Sequence, residues 1–382
     1  MQNNKKLKLL MLMSNLDDLG VQRVVINIYK HLPDDIEPII VFWRKEGKVS
    51  KFFIPRGRVY ETDINNFPIK SIYRLFTYVK IIKAEKPDVI LSFIPGTNLS
   101  IALIKLFISP SIKLIASEHA FITRAFQTGE YDSKFGKIYK RLIPFMYNKV
   151  FHKLIMTAYI GKEDAVNNWG IKSEKIDVIY NPQDIEDINT RADEILIDHW
   201  FQNDIPIIIG AGRLTAQKGF EKLIKAFALL SEKRKVKLAI LGRGELEKKL
   251  KEQVESLKLS ENIKFYGFQT NHLKFFKNAS IFALSSVWEA MPMVLAEALV
   301  VGIPIISFDC PSGPKELLNN GERGILVKDQ DVIALAEALD SALSNYNDIQ
   351  RKSKIGQKWA NEMLNAQYIT DQYVAMIKTL LT

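Results

Sequence analysis

The chain has 382 residues, 47% of them hydrophobic, with a mean hydropathy near zero; this is more than one core usually holds and excludes a disordered chain, so two globular domains are expected. One cysteine, Cys310, excludes an intrachain disulfide framework and favours a reducing, cytoplasmic setting. The net charge of +10 lies in one half, for residues 1–185 carry 28 Lys and Arg against 18 Asp and Glu, whereas residues 186–382 carry 25 of each.

In chain order, Met1 to Lys8 is polar and basic, and Leu9–Met13 is too short for the apolar core of a signal peptide. Lys8–Met13 reads as a buried strand, Val21–His31 as a helix and Ile39–Trp43 as a strand. Ser71–Glu85 is a helix stopped by Pro87; Val89–Phe93, Ile112–Ser117 and Leu154–Thr157 are further strands. These apolar runs lack strict alternation, as strands buried on both faces do. A linker is placed between about Ile179 and Asp204, with Asp184–Asp193 as its polar, acidic part.

The second series has strands at Ile205–Ile209, Val236–Leu241, Ile263–Tyr266, Ile281–Leu284 and Ile303–Phe308. Between them lie helices Phe220–Leu230, Leu246–Leu257 and Val294–Val300, and Asn347–Thr382 is a helical tail. Alternation of this kind predicts two doubly wound parallel sheets. Such sheets bind ligands beyond the carboxyl ends of their strands, and two facing domains form a cleft there. No uncharged apolar run reaches the ~18 residues that span a bilayer, so a soluble or peripheral protein is expected.

Strand Ile281–Leu284 runs into Ser285-Ser286-Val287-Trp288-Glu289-Ala290-Met291-Pro292-Met293-Val294-Leu295-Ala296-Glu297. Pro292 suits the first helical position, which places the amides of Met293 and Val294 at a helix N-terminus, a natural phosphate site. If the stretch is fully helical, Glu289 and Glu297 lie on the order of 12 Å apart, near the span from a sugar ring across a diphosphate to a ribose. Taken alone, the pair fits two solvated surface acids as well. Gly210-Ala211-Gly212-Arg213-Leu214-Thr215-Ala216-Gln217-Lys218-Gly219 links a strand to a helix, with Arg213 able to fork onto phosphate oxygens and Lys218 adding a point charge. Leu241-Gly242-Arg243-Gly244 and Tyr266-Gly267-Phe268 are two more turns at strand ends, the latter able to read a base edge.

Together, in this order and spacing, the turns resemble the C-terminal domain of the family-four retaining glycosyltransferases of the GT-B fold. The resemblance covers about Ile205 to Val327 and includes Gly302-x-Pro304, Asp309 and the Gly313-Pro314-Lys315-Glu316 loop. Less strongly, the first half resembles the family's acceptor domain. Leu19-Gly20-Val21-Gln22-Arg23-Val24 stands at the glycine-rich first loop with Leu19 in place of the first glycine, Ser117-Glu118-His119 ends a strand where the family has its donor-sugar histidine, and Ile179-Tyr180-Asn181-Pro182 matches the closing segment.

What the resemblance implies is an α/β GT-B fold with two facing Rossmann-like domains, acceptor side 1–185 and nucleotide-sugar side 186–365; the sequence leaves open whether the final helix, 366–382, caps the second domain or crosses back to the first. Glu289 would bind hydroxyls of the transferred sugar and Glu297 those of the ribose. Arg213 and Lys218 would hold the diphosphate, amides near Met291, Met293 and Val294 would meet its distal phosphate, and Gly20, Gly244, Phe268 and His119 would complete the contacts. The reaction implied is transfer of a hexose or N-acetylhexosamine, with retention, from a UDP-sugar to a glycan or polyprenyl-diphosphate-linked acceptor in bacterial polysaccharide or lipopolysaccharide assembly. The leaving diphosphate would take the acceptor proton on the same face. Arg213, Lys218 and the helix N-terminus suffice for the developing charge without a metal or cofactor. Asp331 of Asp329-Gln330-Asp331 reads as a helix cap rather than a manganese ligand.

Ser133–Lys153 holds Lys134, Lys137, Lys140, Arg141, Lys149 and Lys153 and no acid, with Phe135, Ile138, Tyr139 and Leu142 at helical spacing. This amphipathic segment suits an anionic membrane surface at the inner face of the cytoplasmic membrane, or equally packing on its own domain. Three rival readings remain: a nucleotide-sugar epimerase on the same fold, a basic nucleic-acid-binding protein, and a catalytically silent partner subunit. The second lacks a recognition helix or aromatic RNA-binding motif, so no nucleic acid is expected as partner.

Overall fold

In a computed structural model, the chain divides into two compact units, residues 1–182 with 366–382, and residues 183–365. The structure describes residues 6–13, 20–43, 56–62, 70–128, 134–202 and 204–382.

The first unit holds seven strands: β1 Leu7–Leu12, β2 Ile36–Phe42, β3 Arg58–Glu61, β4 Val89–Ser92, β5 Lys113–Glu118, β6 Lys153–Met156 and β7 Ile176–Val178. All neighbours pair parallel, in the order β3-β2-β1-β4-β5-β6-β7. Central strands are buried on both faces, as Leu9–Leu12 are, which is why their sequence is a continuous apolar run. Sequence reading missed β3 and β7. Arg58-Val59-Tyr60-Glu61 is a half-exposed edge strand, and Ile176-Asp177-Val178 has three residues, so neither carries enough apolar length to stand out.

Apart from β2, whose connection to β3 lies largely outside the described residues, each strand up to β6 is followed by a crossover helix. Helix α1 spans Gly20–His31, α2 Lys70–Glu85, α3 Pro95–Ile104, α4 Ile122–Gln127, α5 Lys134–Phe145 and α6 Tyr159–Trp169. The steps β3→β4, β4→β5 and β5→β6 run the same way across the sheet, so right-handed crossovers put α2, α3 and α5 on one face. The step β1→β2 runs the other way and puts α1 on the opposite face. There the last helix, α15 Ala366–Leu381, packs on it, burying Tyr373 and pairing Lys378 Nζ with Asp35 Oδ2 at 2.6 Å.

Helix α5 does not keep the apolar stripe expected of it. Tyr139 and Ile143 are buried in the core while Ile138 and Phe145 face outward; the side chain of Phe135 lies outside the described residues. The inward set is chosen by a buried carboxylate. Glu118, the last residue of β5, accepts from Tyr139 Oη at 2.5 Å, from Asn98 Nδ2 at 2.8 Å and from Tyr147 Oη, the last lying in the π-helical turn Met146–Val150 that continues α5. One acid thus ties α3, α5 and the π turn to the carboxyl edge of the sheet.

In the second unit, strands β8 Ile207–Ala211, β9 Lys237–Leu241, β10 Ile263–Gly267, β11 Ile281–Leu284, β12 Ile305–Phe308 and β13 Ile325–Val327 form a parallel sheet ordered β10-β9-β8-β11-β12-β13. Its helices are α8 Phe220–Ser231, α9 Glu247–Ser256, α10 Leu273–Lys277, α11 Met293–Val301, α12 Pro314–Leu317, α13 Val332–Ser344 and α14 Tyr346–Met363. Asp331 caps α13, its carboxylate accepting from Ala334 N at 3.0 Å.

The segment read as an acidic linker is instead helix α7, Ile185–Ala192. Asp184 caps it by accepting from Asp187 N at 3.2 Å, and Ile188 and Ala192 bury its inner face against α10 and α11. The acids cluster in its first turn, where the helix dipole favours them.

Burial raises the Glu118 carboxyl above its ordinary 4.5 despite its three donors. The native state therefore holds this proton more tightly than the unfolded chain does, and its stability falls as pH rises from 4.5 through the native value. Glu118→Gln removes that dependence. Melting temperatures of parent and variant measured from pH 4.5 upward are expected to converge or cross in favour of the variant; parallel curves would contradict the argument.

Candidate active site

A parallel sheet opens a crevice where neighbouring strands send their chains to opposite faces, and in the second unit that point lies between β8 and β11. The loops leaving these strands are Gly212–Gly219 and Ser285–Pro292, the two stretches that carry most of the expected contacts.

They are stitched to each other. Ser285 Oγ donates to Lys218 O at 2.9 Å, Val287 N to Gln217 O at 2.8 Å, and Gln217 Nε2 to Trp288 O at 3.1 Å. Gly219 sits in the left-handed region (φ +63°), and a Cβ there would lie 2.1 Å from Ser285 O, so only glycine lets the loops approach this closely. The turn after β9 joins them: Gly212 N donates to Leu241 O at 3.0 Å and Leu214 N to Arg243 O at 2.9 Å. A Cβ on Gly242 would meet Gly212 O at 1.8 Å. Gly244 lies under the Leu214 backbone, and Gly267, whose carbonyl accepts from Gly242 N at 2.8 Å, precedes part-buried Phe268 on the same edge.

At the centre, Lys218 Nζ meets Glu289 Oε1 at 2.6 Å, with both side chains largely buried. Ser286 Oγ donates to the same oxygen at 2.6 Å. Ser286, three residues before Glu289, was not singled out from the sequence. Arg213 is exposed, its guanidinium reaching Gln217 Oε1 at 3.3 Å.

Helix α11 begins at Met293, with Pro292 as its N-cap residue in an extended conformation rather than as its first helical residue. Glu289 therefore precedes the helix, and the helical rise expected between the two acids applies only from Met293 onward. Met291 is buried and Met293 and Val294 are half-buried at the first turn. The loop 309–313 closes on this stretch, Glu289 N donating to Pro311 O at 3.3 Å and Ser312 Oγ to Ala290 O at 3.1 Å.

Glu297, buried within α11, has a partner that no motif announced. His272 Nε2 lies 2.8 Å from Glu297 Oε2, its ring held edge-on by Phe276 at 5.1 Å. His272 is the N-cap residue of α10, a short helix that gave no sequence signal.

In the first unit, Gly20 is the exposed first residue of α1, and Asn15 to Leu19 of the expected glycine-rich loop lie outside the described residues. His119 follows β5, with Ser117 Oγ 3.0 Å from its Nε2. Burial drives its pKa down to about 4, against a smaller upward pull from Asn181, so the ring is neutral near pH 7 and acts as a hydrogen-bonding group. Its Nδ1 is shielded and has no hydrogen-bond partner among the described residues.

Among the described residues, no group of three or more His, Cys, Asp or Glu is placed to hold a metal ion. What the second unit assembles is two cations, a helix N-terminus and two buried carboxylates along one sheet edge. This arrangement suits an anionic ligand with hydroxyl-bearing groups at both ends.

Residues 172–359 match the family described as Glycosyl transferases group 1, and residues 20–187 match Glycosyltransferase Family 4. An uncharacterized glycosyltransferase of Methanocaldococcus jannaschii is 33% identical over 260 residues, 66% of this chain and 63% of that relative's length. The Campylobacter jejuni N-acetylgalactosamine-N,N'-diacetylbacillosaminyl-diphospho-undecaprenol 4-alpha-N-acetylgalactosaminyltransferase is 28% identical over 336 residues, 85% of this chain and 87% of the relative. In fold, the chain is similar to Anabaena HepE, crystallised with UDP and glucose, with a TM-score of 0.82 at 18% identity over 98% of this chain and 100% of that one. The two family matches overlap at residues 172–187, together span 20–359 and each cover most of one parallel-sheet unit of the Rossmann type, and the chain belongs to the family-four glycosyltransferases of the GT-B fold.

Proposed function

We propose that the chain is a retaining glycosyltransferase that moves a hexose or N-acetylhexosamine from a UDP-sugar to a polyprenyl-diphosphate-linked glycan, at the inner face of the bacterial cytoplasmic membrane. The observation that carries this reading is the buried Lys218–Glu289 pair beside the start of α11. Two relatives support the acceptor class, since their names describe transfer onto diphospho-undecaprenol glycans in Campylobacter jejuni. The complexes of Anabaena HepE with UDP and glucose and with UDP-glucose support the donor class.

Charge builds on the leaving diphosphate as the bond to the anomeric carbon breaks, and groups fixed in advance around that charge do most of the work. Arg213, already exposed, forks onto the phosphate oxygens. The first turn of α11 presents its dipole. Lys218 exchanges Glu289 for the diphosphate, and the carboxylate it leaves turns to the sugar hydroxyls. Glu297, steadied by His272, accepts from the ribose hydroxyls. The acceptor hydroxyl loses its proton to the departing diphosphate oxygen on the face from which it attacks, which retains the anomeric configuration. In the first unit, neutral His119 is the candidate to hydrogen-bond a sugar hydroxyl.

Two experiments test the donor half. Calorimetry with UDP is expected to show Glu297→Ala weakened roughly ten- to a hundredfold, the worth of hydrogen bonds to a charged acceptor at about 1.5–3 kcal/mol. His272→Phe should fall between the two, and both penalties should shrink with 2′-deoxy-UDP. Glu297→Ala binding UDP as the parent does would end the ribose assignment. Lys218→Met strands a buried carboxylate and is expected to cost about 3 kcal/mol of stability. Adding Glu289→Gln should restore most of that stability in denaturant titrations without restoring UDP affinity. Full recovery of affinity in the double variant would make the pair structural only.

A further inference from the structure

Two of the groups read as nucleotide contacts depend on one short loop. Phe268 follows β10, and His272, the partner of Glu297, stands just before α10, so residues 268–272 set the spacing between them. The flanking elements are weak supports. β10 is an edge strand of its sheet, and α10 has five residues, too few to hold a helix in water alone. Thr270, in the middle of the loop, is exposed.

Packing fixes the body of α10. Phe276 is fully buried against Phe282 at 5.0 Å, and Phe275 meets Tyr266 at 5.1 Å and Phe201 at 5.6 Å. The loop is held by a different element, the last turn of α7. Arg191 donates from Nη1 to Asp187 Oδ2 at 3.1 Å, one turn back on the same helix, and from Nη2 to Thr270 O at 2.6 Å. Its own carbonyl accepts from Asn271 Nδ2 at 2.8 Å, and Asn271 Oδ1 accepts from Leu273 N at 3.2 Å in α10. One residue thus grips, by side chain and backbone, the two residues that precede His272. The Arg191 side chain is only 19% exposed, and with one arm fixed by Asp187 the planar fork aims the other at the loop. A cation in the last turn also suits the dipole of α7. Farther along α10, Lys277 pairs with Asp193 at 3.4 Å, both side chains being exposed.

We infer that Arg191 is a positioning residue for nucleotide recognition: by clamping Thr270 and Asn271 it places His272, and through His272 it aligns the carboxylate of Glu297. The inference rests on the reading of Glu297 as the ribose contact and adds a support for it on a helix outside the strand-end loops. Without the clamp the loop samples more conformations, and binding must then pay to order it. Folding stability changes little, because water can replace the guanidinium at an exposed carbonyl.

The test is calorimetry with UDP on Glu297→Ala, Arg191→Met and the double variant, beside Arg191→Lys and Lys277→Met. Arg191→Met keeps the aliphatic stem and should weaken UDP about fivefold with an unchanged melting temperature. In the Glu297→Ala background the same change should cost less than about twofold, because the route through Glu297 is already cut. Arg191→Lys, a point charge that meets one acceptor but not both, should fall between parent and Arg191→Met. Lys277→Met, which unties α10 away from the loop, should bind as the parent does. Should Arg191→Met melt early, Arg191→Lys carries the same comparison. Parent-like affinity in Arg191→Met, equal penalties with and without Glu297, or an equal loss in Lys277→Met overturns the inference. If Glu297→Ala is weakened and Arg191→Met is not, the ribose reading stands and the clamp alone fails. Parent-like binding by Glu297→Ala marks the failure of the ribose reading, and the clamp falls with it.

Discussion

Parallel strands cannot be joined by tight turns, and the rest of this structure follows from that constraint. Every strand must be followed by a crossover that returns to the opposite edge, and each crossover is right-handed. Stepping outward in both directions from β1 in one unit and from β8 in the other then forces a reversal in strand order. At that reversal the carboxyl edge is left open, because the two neighbouring chains leave toward opposite faces. The Lys218–Glu289 pair forms there because the loops after β8 and β11 have nowhere else to meet. The same constraint sorts the crossover helices of the first unit, α2, α3, α5 and α6 to one face and α1 to the other.

The parts legible in sequence were those where one residue type has one physical use. The buried strands of both units showed as apolar runs, and Asp331 announced a helix cap. Glycines at 219 and 242 marked backbone approaches too close for a Cβ. What escaped was set by tertiary context. Asp184–Asp193 has the composition of a linker, yet two buried residues and a cap make it a helix. The ring of His272 has no local signal, because its meaning comes from Glu297 on another element 25 residues away. The apolar stripe of α5 could not be resolved from spacing alone, since the hydrogen bond of Tyr139 to buried Glu118 is set by another element.

Buried carboxylates serve two ends here. Glu118 is surrounded by neutral donors, which satisfy it without fixing its charge, so burial wins and its proton affinity rises. That is a structural use. Glu289 is met by a lysine, and a buried ion pair contributes little net stability over an apolar pair of the same shape. Its value lies elsewhere. A lysine held by a carboxylate is already desolvated and aimed, so on the proposed reading an entering diphosphate would only displace one anion with another instead of stripping water from the ammonium.

The charge asymmetry between the halves follows from the same distinction. The second unit, residues 183–365, carries 24 Lys and Arg against 25 Asp and Glu, and the site proposed there would work through a few fixed groups at short range, where a strong net field would only attract unselected anions. The first unit carries the chain's excess of positive charge. Exposed lysines and arginines act through a summed field that salt cuts within about a Debye length of 8 Å, so no single one fixes a geometry. Close recognition by a few buried groups and a long-range field call for opposite charge designs, and here they lie on separate sheets.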